Sequence, residues 1–104
     1  MGIGIDIVLI SRIKDPDNFK SAILSENELY LYDNAVKKNE FLAGRFAAKE
    51  AFMKAIKLGM KIPFKEIEVL YDNNGAPYIL YKNKNYEVSI AHDGDYAISI
   101  AKYE

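Results

Sequence analysis

The sequence predicts an α+β fold, in which an antiparallel sheet packs against one long helix. Segments rich in Ile, Val and Tyr lie at the N-terminus and through most of the second half, and the longest helical pattern spans residues 39–57 between them. The strand-like segments of the second half follow one another without a helix, which is typical of antiparallel pairing. With 104 residues, half of them hydrophobic, the chain is expected to form a single domain over residues 1–104.

The first half is predicted to hold one strand followed by two or three helices. The stretch "IGIDIVLI" is typical of a buried strand over residues 3–10. Pro16 follows a polar break and favours a helix start there. The sequence "SENE" has the form of a capping box, with Ser25 as the N-cap and Glu28 reaching back to it, so a short helix is expected to about Tyr32.

The longest helix is predicted from the spacing of its large apolar residues. The side chains expected to face the core are Phe41, Leu42, Phe46, Phe52 and Ile56. Several alanines lie among them and allow close packing against another element. Gly59 is expected to end this helix, because glycine is common just after a helix C-terminus.

The second half is predicted to form four strands. They are "IEVLYD", "PYILY", "YEVSIA" and "YAISIA". The sequence "DNNGAP" predicts a turn between the first two strands. The sequence "HDGD" predicts a tight connection between the last two.

Composition and charge exclude several classes of protein. The formal net charge is −1, so no general attraction to nucleic acid is expected. No run of 18 apolar residues occurs, so no membrane span is expected. The chain has no cysteine, which excludes disulfides and thiolate metal sites, and its N-terminus lacks a basic leader. We therefore expect a cytoplasmic protein.

Asp6 interrupts a strand that is otherwise apolar on both faces. A buried carboxylate without a partner costs several kcal/mol or shifts its pKa until it is neutral. Asp6 is therefore expected to face water at a strand end or sheet edge, to pair with a cation, or to bind a metal. Gly2 and Gly4 lack side chains and would let another group approach the strand closely.

Glu50 and Lys54 are four residues apart on the long helix and so share one face. A surface salt bridge is the simplest role for such a pair. Alternatively, Asp6 and Glu50 would supply the two carboxylates of a Mg²⁺ site beside substrate phosphates, with Lys54 contacting a phosphate oxygen. The alanines next to Glu50 leave room for a ligand or for another backbone, at positions 47, 51 and 55.

Three more residues are candidates because their types are rare in this chain. Arg45 and Arg12 are the only arginines among 14 basic residues, and arginine is the better bidentate partner for phosphate. His92 is the only histidine. A lone histidine is more often a hydrogen-bonded or exposed residue than a catalyst, so a catalytic role for His92 is left open here.

Four stretches, in this order, resemble the holo-acyl-carrier-protein synthases, which are small 4′-phosphopantetheinyl transferases. They are "GIGIDIVLISRI", "EFLAGRFAAKEAFMKAI", "NGAPYI" and "VSIAHDGDYAISI". The resemblance covers nearly the whole chain, and the paired motifs G-x-D and F-x-x-K-E-x-x-x-K are specific to the superfamily. It implies transfer of phosphopantetheine from coenzyme A to a serine of apo-acyl carrier protein, in support of fatty acid biosynthesis. The other product would be adenosine 3′,5′-bisphosphate.

The resemblance also implies roles for single residues. Asp6 and Glu50 would bind Mg²⁺ on the diphosphate and form the catalytic set with Lys54. The residues implied to bind coenzyme A are Arg45, Lys54, Asn74, Gly75, Pro77 and His92. Arg12 would lie on the surface that binds acyl carrier protein, and the short form of the family is a homotrimer with its sites between subunits.

Two readings of a different kind compete with this one. The first is an acyl-carrier-binding module without catalytic activity, and the presence of all three of Asp6, Glu50 and Lys54 argues against it. The second is a small nucleotide-binding protein of unrelated function, and the length and order of the motif match argue against that.

Overall fold

The computed structural model describes residues 2–57 and 62–104. Its elements are β1 (Gly2–Leu9), a 3₁₀ turn (Ile10–Arg12), α1 (Pro16–Ile23), α2 (Glu26–Asp33), α3 (Lys38–Ile56), a second 3₁₀ turn (Phe64–Glu66), β2 (Glu68–Tyr71), β3 (Pro77–Tyr81), β4 (Lys84–Asp93) and β5 (Tyr96–Tyr103). The five strands form one sheet in the order β1-β5-β4-β3-β2, and each neighbouring pair is antiparallel. The predicted fold class is therefore confirmed. No helix in the described ranges is long and apolar enough to cross a membrane.

The predicted starts of the two short helices are confirmed. Asp15 caps α1 by accepting a hydrogen bond from the backbone N–H of Asn18, and Pro16 is the first helical residue. Ser25 and Glu28 form the reciprocal bonds of a capping box at the start of α2. Local sequence signals thus determine where the chain turns into both helices.

The long helix ends differently from the prediction. It stops at Ile56, and Lys57 takes a left-handed conformation with φ 61°, which glycine usually adopts at this position. Gly59, the residue predicted to end the helix, lies outside the described residues.

The last hairpin is tighter than predicted. His92 and Asp93 belong to β4, where they pair with Ala97 and Tyr96. The connection is therefore two residues long, not the four of "HDGD". Gly94 has φ 56°, and a two-residue hairpin of this kind requires such a positive φ. The prediction was wrong because the strand continues through His92, beyond the apolar segment that marked it.

The inner face of the sheet packs against α3, and β1 approaches α3 most closely. A Cβ atom on Gly4 would lie 1.8 Å from the carbonyl oxygen of Ala51, and one on Gly2 would lie 1.9 Å from that of Ala55. The prediction that these glycines allow a close approach is confirmed, and the approaching group is the backbone of α3. The space predicted beside the alanines is filled here by another backbone.

The side of α3 that faces the sheet consists mainly of small residues. Those that are fully buried include Ala43, Ala47, Ala48 and Ala51. Of the predicted core residues, Leu42 and Phe52 are fully buried, whereas Phe41, Phe46 and Ile56 are half-buried at the margins of the core. Alanines bring the helix backbone near the sheet, so the larger side chains pack around this contact.

The outer face of the sheet is apolar and exposed at β1 and β5. Ile3, Ile5 and Ile7 are 62%, 55% and 58% exposed, and Ile98 and Ile100 are 37% and 46% exposed. Ile5 lies opposite Ile100, and Ile7 opposite Ile98. A contiguous apolar patch of this kind is typical of a surface that contacts another protein.

Candidate functional site

The first cluster of predicted site residues lies where β1 packs against α3. Asp6 is on the helix-facing side of β1, and 18% of its side chain is exposed. Nζ of Lys54 donates hydrogen bonds to Oδ1 of Asp6 at 3.1 Å and to the carbonyl oxygen of Ile5 at 2.9 Å. Glu50 is half-buried one turn before Lys54 on the same face of α3. The structure therefore brings the three residues to one edge of the helix.

The Asp6–Lys54 contact confirms one alternative, pairing with a cation; β1 is also an edge strand, and the metal role stays a prediction for Asp6. Its carboxylate is neither a strand-end group facing water nor without a partner, because the ammonium group compensates its charge. The side chain of Lys54 is 55% exposed, so the ammonium group is open to solvent and can reach an incoming anion. The lysine of such a pair can exchange one anionic partner for another.

The donor chemistry of this cluster fits a hard divalent cation. Mg²⁺ is usually bound through one or two carboxylates and keeps several waters, and Asp6 and Glu50 supply two carboxylates. Among residues 2–57 and 62–104 no group of three or more histidine and acidic side chains could hold a metal ion. An ion bound here would take its other ligands from water and substrate.

A second cluster surrounds a cavity of about 220 Å³ between α3, the end of β2 and β4. Its lining residues are Phe41, Gly44, Arg45, Tyr71, Pro77, Ile90 and His92. Three of the predicted site residues, Arg45, Pro77 and His92, therefore line one cavity although they are far apart in the sequence.

Arg45 is almost fully buried, with 3% exposure. Its Cζ lies 3.8 Å from the ring centre of Phe41 and 5.2 Å from that of Tyr71. Its Nη2 donates to the carbonyl oxygen of Val69 at 3.2 Å, whereas its buried Nε has no hydrogen-bond partner in the described part of the chain. The anion that compensates this buried cation is Glu28, whose Oε2 lies 3.6 Å from Nε, within ion-pair distance.

His92 also lines this cavity. Its Nε2 is 3.1 Å from the carbonyl oxygen of Glu40, and its Nδ1 is 3.8 Å from Oε1 of the same residue. Gly44 makes this position possible, because a Cβ atom there would lie 2.9 Å from Nε2 of His92. The glycine of "LAGRF" therefore allows the imidazole ring to pack against α3 near Arg45.

Asn74 and Gly75 lie in the exposed turn that joins β2 to β3. Oδ1 of Asp72 accepts from the backbone N–H groups of Asn74 at 2.8 Å and Ala76 at 3.0 Å. Gly75 has φ 82°, which glycine adopts without strain. The predicted turn is confirmed, and Pro77 at its end reaches the cavity.

Arg12 is exposed on the 3₁₀ turn after β1. It borders an open cleft of about 400 Å³ whose other lining residues are Lys14, Asp15, Asn18, Phe19 and Ala22. Phe19 is 38% exposed. Basic side chains beside an exposed aromatic ring are suited to an acidic protein surface with apolar contacts.

The sequence interpretation missed a buried ion pair behind Arg45. Glu28 and Lys49 are both fully buried, and Nζ of Lys49 lies 2.5 Å from Oε1 of Glu28. The same Nζ donates to the carbonyl oxygens of Ile23 at 2.6 Å and Phe64 at 3.0 Å. Burial lowers the pKa of Lys49, while the charge of Glu28 acts in the opposite direction.

One signal in the sequence points to this ion pair. Arg45 and Lys49 are four residues apart, so they share a stripe of α3 with Phe41 and Phe52. Two cations between aromatic residues of a core helix require a buried acid nearby. The partner itself, Glu28, was identified only as part of a capping box.

The α+β fold carries two clusters with cationic side chains, at Lys54 and at Arg45. Such clusters are suited to binding phosphorylated ligands. Residues 2–101 match the 4′-phosphopantetheinyl transferase superfamily. The chain is 42% identical to the holo-[acyl-carrier-protein] synthase of a Geobacillus species, over 95% of this chain and 92% of that protein. It is 43% identical to the one of Bacillus subtilis, over 92% of this chain and 88% of that protein.

Solved structures agree with this assignment. The holo-(acyl-carrier-protein) synthase of Bacillus anthracis, in complex with CoA (3′,5′-ADP), superposes with a TM-score of 0.86 at 38% identity, covering 96% of this chain and 92% of that chain. The Helicobacter pylori synthase in complex with coenzyme A gives a TM-score of 0.80 at 31% identity, covering 96% and 97%. This chain belongs to the 4′-phosphopantetheinyl transferase superfamily.

Proposed function

We propose that this protein transfers the 4′-phosphopantetheinyl group of coenzyme A to a serine hydroxyl of apo-acyl carrier protein. The products are holo-acyl carrier protein and adenosine 3′,5′-bisphosphate, and the reaction prepares the carrier for fatty acid biosynthesis in the cytoplasm. Family membership and the names of the relatives support this. The observation that carries it is the contact of Lys54 with Asp6 one turn from Glu50.

The cavity near Arg45 binds the adenosine end of coenzyme A in this proposal. Arg45 and His92 contact the 3′-phosphate in this proposal, because both line this one cavity and a guanidinium group is a strong donor to phosphate. The turn that contains Asn74, Gly75 and Pro77 borders the adenine.

The proposed reaction uses Mg²⁺ as its metal ion. Asp6 and Glu50 would hold it near the diphosphate of coenzyme A, because Mg²⁺ is usually bound through one or two carboxylates. When bound, the ion supplies positive charge that polarises the diphosphate.

The transfer step joins the serine oxygen of the carrier to the β-phosphorus of coenzyme A, and the serine hydroxyl releases its proton to water. The bond from that phosphorus to the bridging oxygen breaks, and this oxygen leaves on adenosine 3′,5′-bisphosphate. Lys54 exchanges its contact with Asp6 for an oxygen of the diphosphate and so stabilises the charge that grows on the leaving group. Its exposure leaves the ammonium group free to make this exchange.

We infer that the active form is a homotrimer with the coenzyme site between subunits. The exposed isoleucines of β1 and β5 give each chain an apolar surface to cover. Arg45 and Glu50 are five residues apart on α3, so their side chains point about 140° apart around the helix axis. One extended coenzyme A molecule reaches an Arg45 and a Glu50 more easily where two chains meet, because each chain can supply one of them.

The cleft beside Arg12 binds the carrier protein in this proposal. Carrier proteins of this kind present acidic helices, and Arg12 and Lys14 offer positive charge next to the exposed ring of Phe19. The cleft and the coenzyme cavity have no lining residue in common.

The proposal is tested by incubating the protein with coenzyme A, Mg²⁺ and apo-acyl carrier protein and measuring adenosine 3′,5′-bisphosphate by chromatography. A carrier with its acceptor serine changed to alanine is the control. We expect one bisphosphate for each carrier modified and none with the control. Bisphosphate release from the control would indicate a hydrolase. A complex with the carrier and no release would indicate a non-catalytic carrier-binding module.

A further inference from the structure

Glu28 and Arg45 meet twice, once directly and once through the backbone of Val69. Oε2 of Glu28 lies 3.6 Å from Nε of Arg45 and accepts a hydrogen bond from the N–H of Val69 at 3.1 Å. The carbonyl oxygen of Val69 accepts from Nη2 of Arg45 at 3.2 Å. All three residues are buried. The carboxylate, the peptide group and the guanidinium therefore form a closed ring of contacts.

The position of β2 explains why Val69 can serve both partners. β2 is an edge strand, and in the described part of the chain it pairs only with β3. The N–H and C=O of one strand residue point to the same side, and those of Val69 meet Glu28 and Arg45. These side chains, from α2 and α3, occupy hydrogen-bonding positions that a further strand would otherwise take.

The carboxylate of Glu28 is held rigidly from its other side. Its Oε1 contacts Nζ of Lys49 at 2.5 Å and accepts from the N–H of Ser25 at 3.1 Å. Two cations, Arg45 and Lys49, thus share this one buried carboxylate. Nε of Arg45 faces this carboxylate at 3.6 Å without making a hydrogen bond, and Arg45 also lines the cavity.

We propose that Glu28 is a positioning residue for coenzyme A. It holds the guanidinium of Arg45 between the rings of Phe41 and Tyr71, in the orientation that meets the 3′-phosphate. Glu28 acts through Arg45 and is itself closed off from the ligand. The inference rests on the proposed function, because it deepens the role given there to Arg45.

The test compares coenzyme A with 3′-dephospho-coenzyme A, which lacks only the phosphate assigned to Arg45. The readout is kcat/KM for coenzyme A divided by kcat/KM for 3′-dephospho-coenzyme A. This ratio is measured in the wild type and in Glu28→Gln. Glutamine keeps the shape of the side chain and removes its charge. We expect the ratio to fall about tenfold in the variant, as for one weakened charge-assisted hydrogen bond. The loss should appear mainly as a higher KM for coenzyme A.

This ratio separates positioning from a general loss of structure. Disturbance of the fold, or of Glu50 on α3, which also carries Arg45, lowers kcat/KM for both substrates and cancels in the ratio. Equal losses for the two substrates in Glu28→Gln would therefore overturn the inference. So would the absence of any loss, and either result leaves the phosphate role of Arg45 standing. A wild-type ratio near one would instead contradict that role, and with it this part of the proposed function.

Lys49→Met is the matched control, because it removes the other cation and leaves Glu28 beside Arg45. We expect this variant to be less stable but to keep the wild-type ratio. A fall as large as that of Glu28→Gln would show that Glu28 has no special role. If Glu28→Gln does not fold, the charge-neutral double variant Glu28→Gln/Lys49→Met replaces it, since a buried ion pair can often be exchanged for uncharged residues. The inference fails if the double variant keeps the wild-type ratio.

Discussion

Nζ of Lys54 on α3 donates a hydrogen bond to Oδ1 of Asp6 on β1 across 3.1 Å. The two residues are 48 positions apart in the sequence, and the contact exists because Gly2 and Gly4 let β1 lie directly on the backbone of α3. Packing of a strand on a helix thus places a strand carboxylate, a helix lysine and the nearby Glu50 together. The predictions below test this arrangement and the surfaces around it.

Glu50→Gln should leave the fold intact and remove most of the activity. Glutamine has nearly the same shape, but it is a much poorer ligand for Mg²⁺ than a carboxylate. We expect kcat/KM to fall by about 100-fold or more, which corresponds to about 2.7 kcal/mol of transition-state stabilisation. Glu66→Gln, an exposed glutamate on the second 3₁₀ turn, is the control. Full turnover of Glu50→Gln at ordinary Mg²⁺ would contradict the assignment.

Arg12→Glu should weaken binding of the carrier protein and leave coenzyme A unaffected. Reversal of the charge introduces repulsion against an acidic partner at a site away from the coenzyme cavity. Steady-state kinetics should show a higher KM for the carrier, at least about tenfold at low salt, with an unchanged KM for coenzyme A. Lys84→Glu makes the same change at an exposed position on β4 and should have little effect. Equal changes for both substrates would place Arg12 elsewhere in the mechanism.

Gly4→Ala should destabilise the protein by about 3 kcal/mol or more, because the new methyl group would overlap the backbone of α3. Gly94→Ala is the matched control, since a Cβ there meets nothing within 4 Å and adds only the strain of a positive φ. We expect a cost of about 1–2 kcal/mol for that control. Urea unfolding at a fixed protein concentration measures both. Equal losses would show that β1 does not pack on α3 this closely.

Ile5→Asp should disrupt association of the subunits. Ile5 is 55% exposed and lies opposite Ile100 in the apolar patch on the outer face of the sheet, so a charge there would be buried at a subunit contact. Sedimentation should show a trimer for the wild type and smaller species for the variant. Val36→Asp is the control, because Val36 is 97% exposed and lies between α2 and α3, away from the sheet. A wild type that sediments as a monomer at micromolar concentration would remove the trimer from the account.

Most of the fold could be predicted because its signals are local. The capping box at Ser25, the proline at the start of α1 and the Asp-Asn-Asn-Gly turn each appear in the structure where the sequence placed them. The hairpin after Asp93 was predicted too long because the alternation that marks a strand weakens at its polar end. The residue types alone did not show that His92 still pairs with β5.

The site was less predictable because it depends on long-range contacts. Sequence spacing placed Glu50 and Lys54 on one face, but only the packing of β1 on α3 brings Asp6 to them. The pairing of Glu28 with Lys49 and Arg45 joins residues up to 21 positions apart, and no spacing rule connects α2 with α3. The family resemblance named the residues that are proposed to contact the ligand, and not the buried charges behind them.

The mass of the carrier protein, measured intact after reaction, tests the central claim most directly. Apo-acyl carrier protein is incubated with the wild-type protein, coenzyme A and Mg²⁺, and in parallel with Glu50→Gln. The account predicts that the wild type adds the mass of one phosphopantetheinyl group to the acceptor serine, and that the variant leaves nearly all of the carrier unmodified over the same time. An unmodified carrier in the presence of folded wild-type protein would contradict the account.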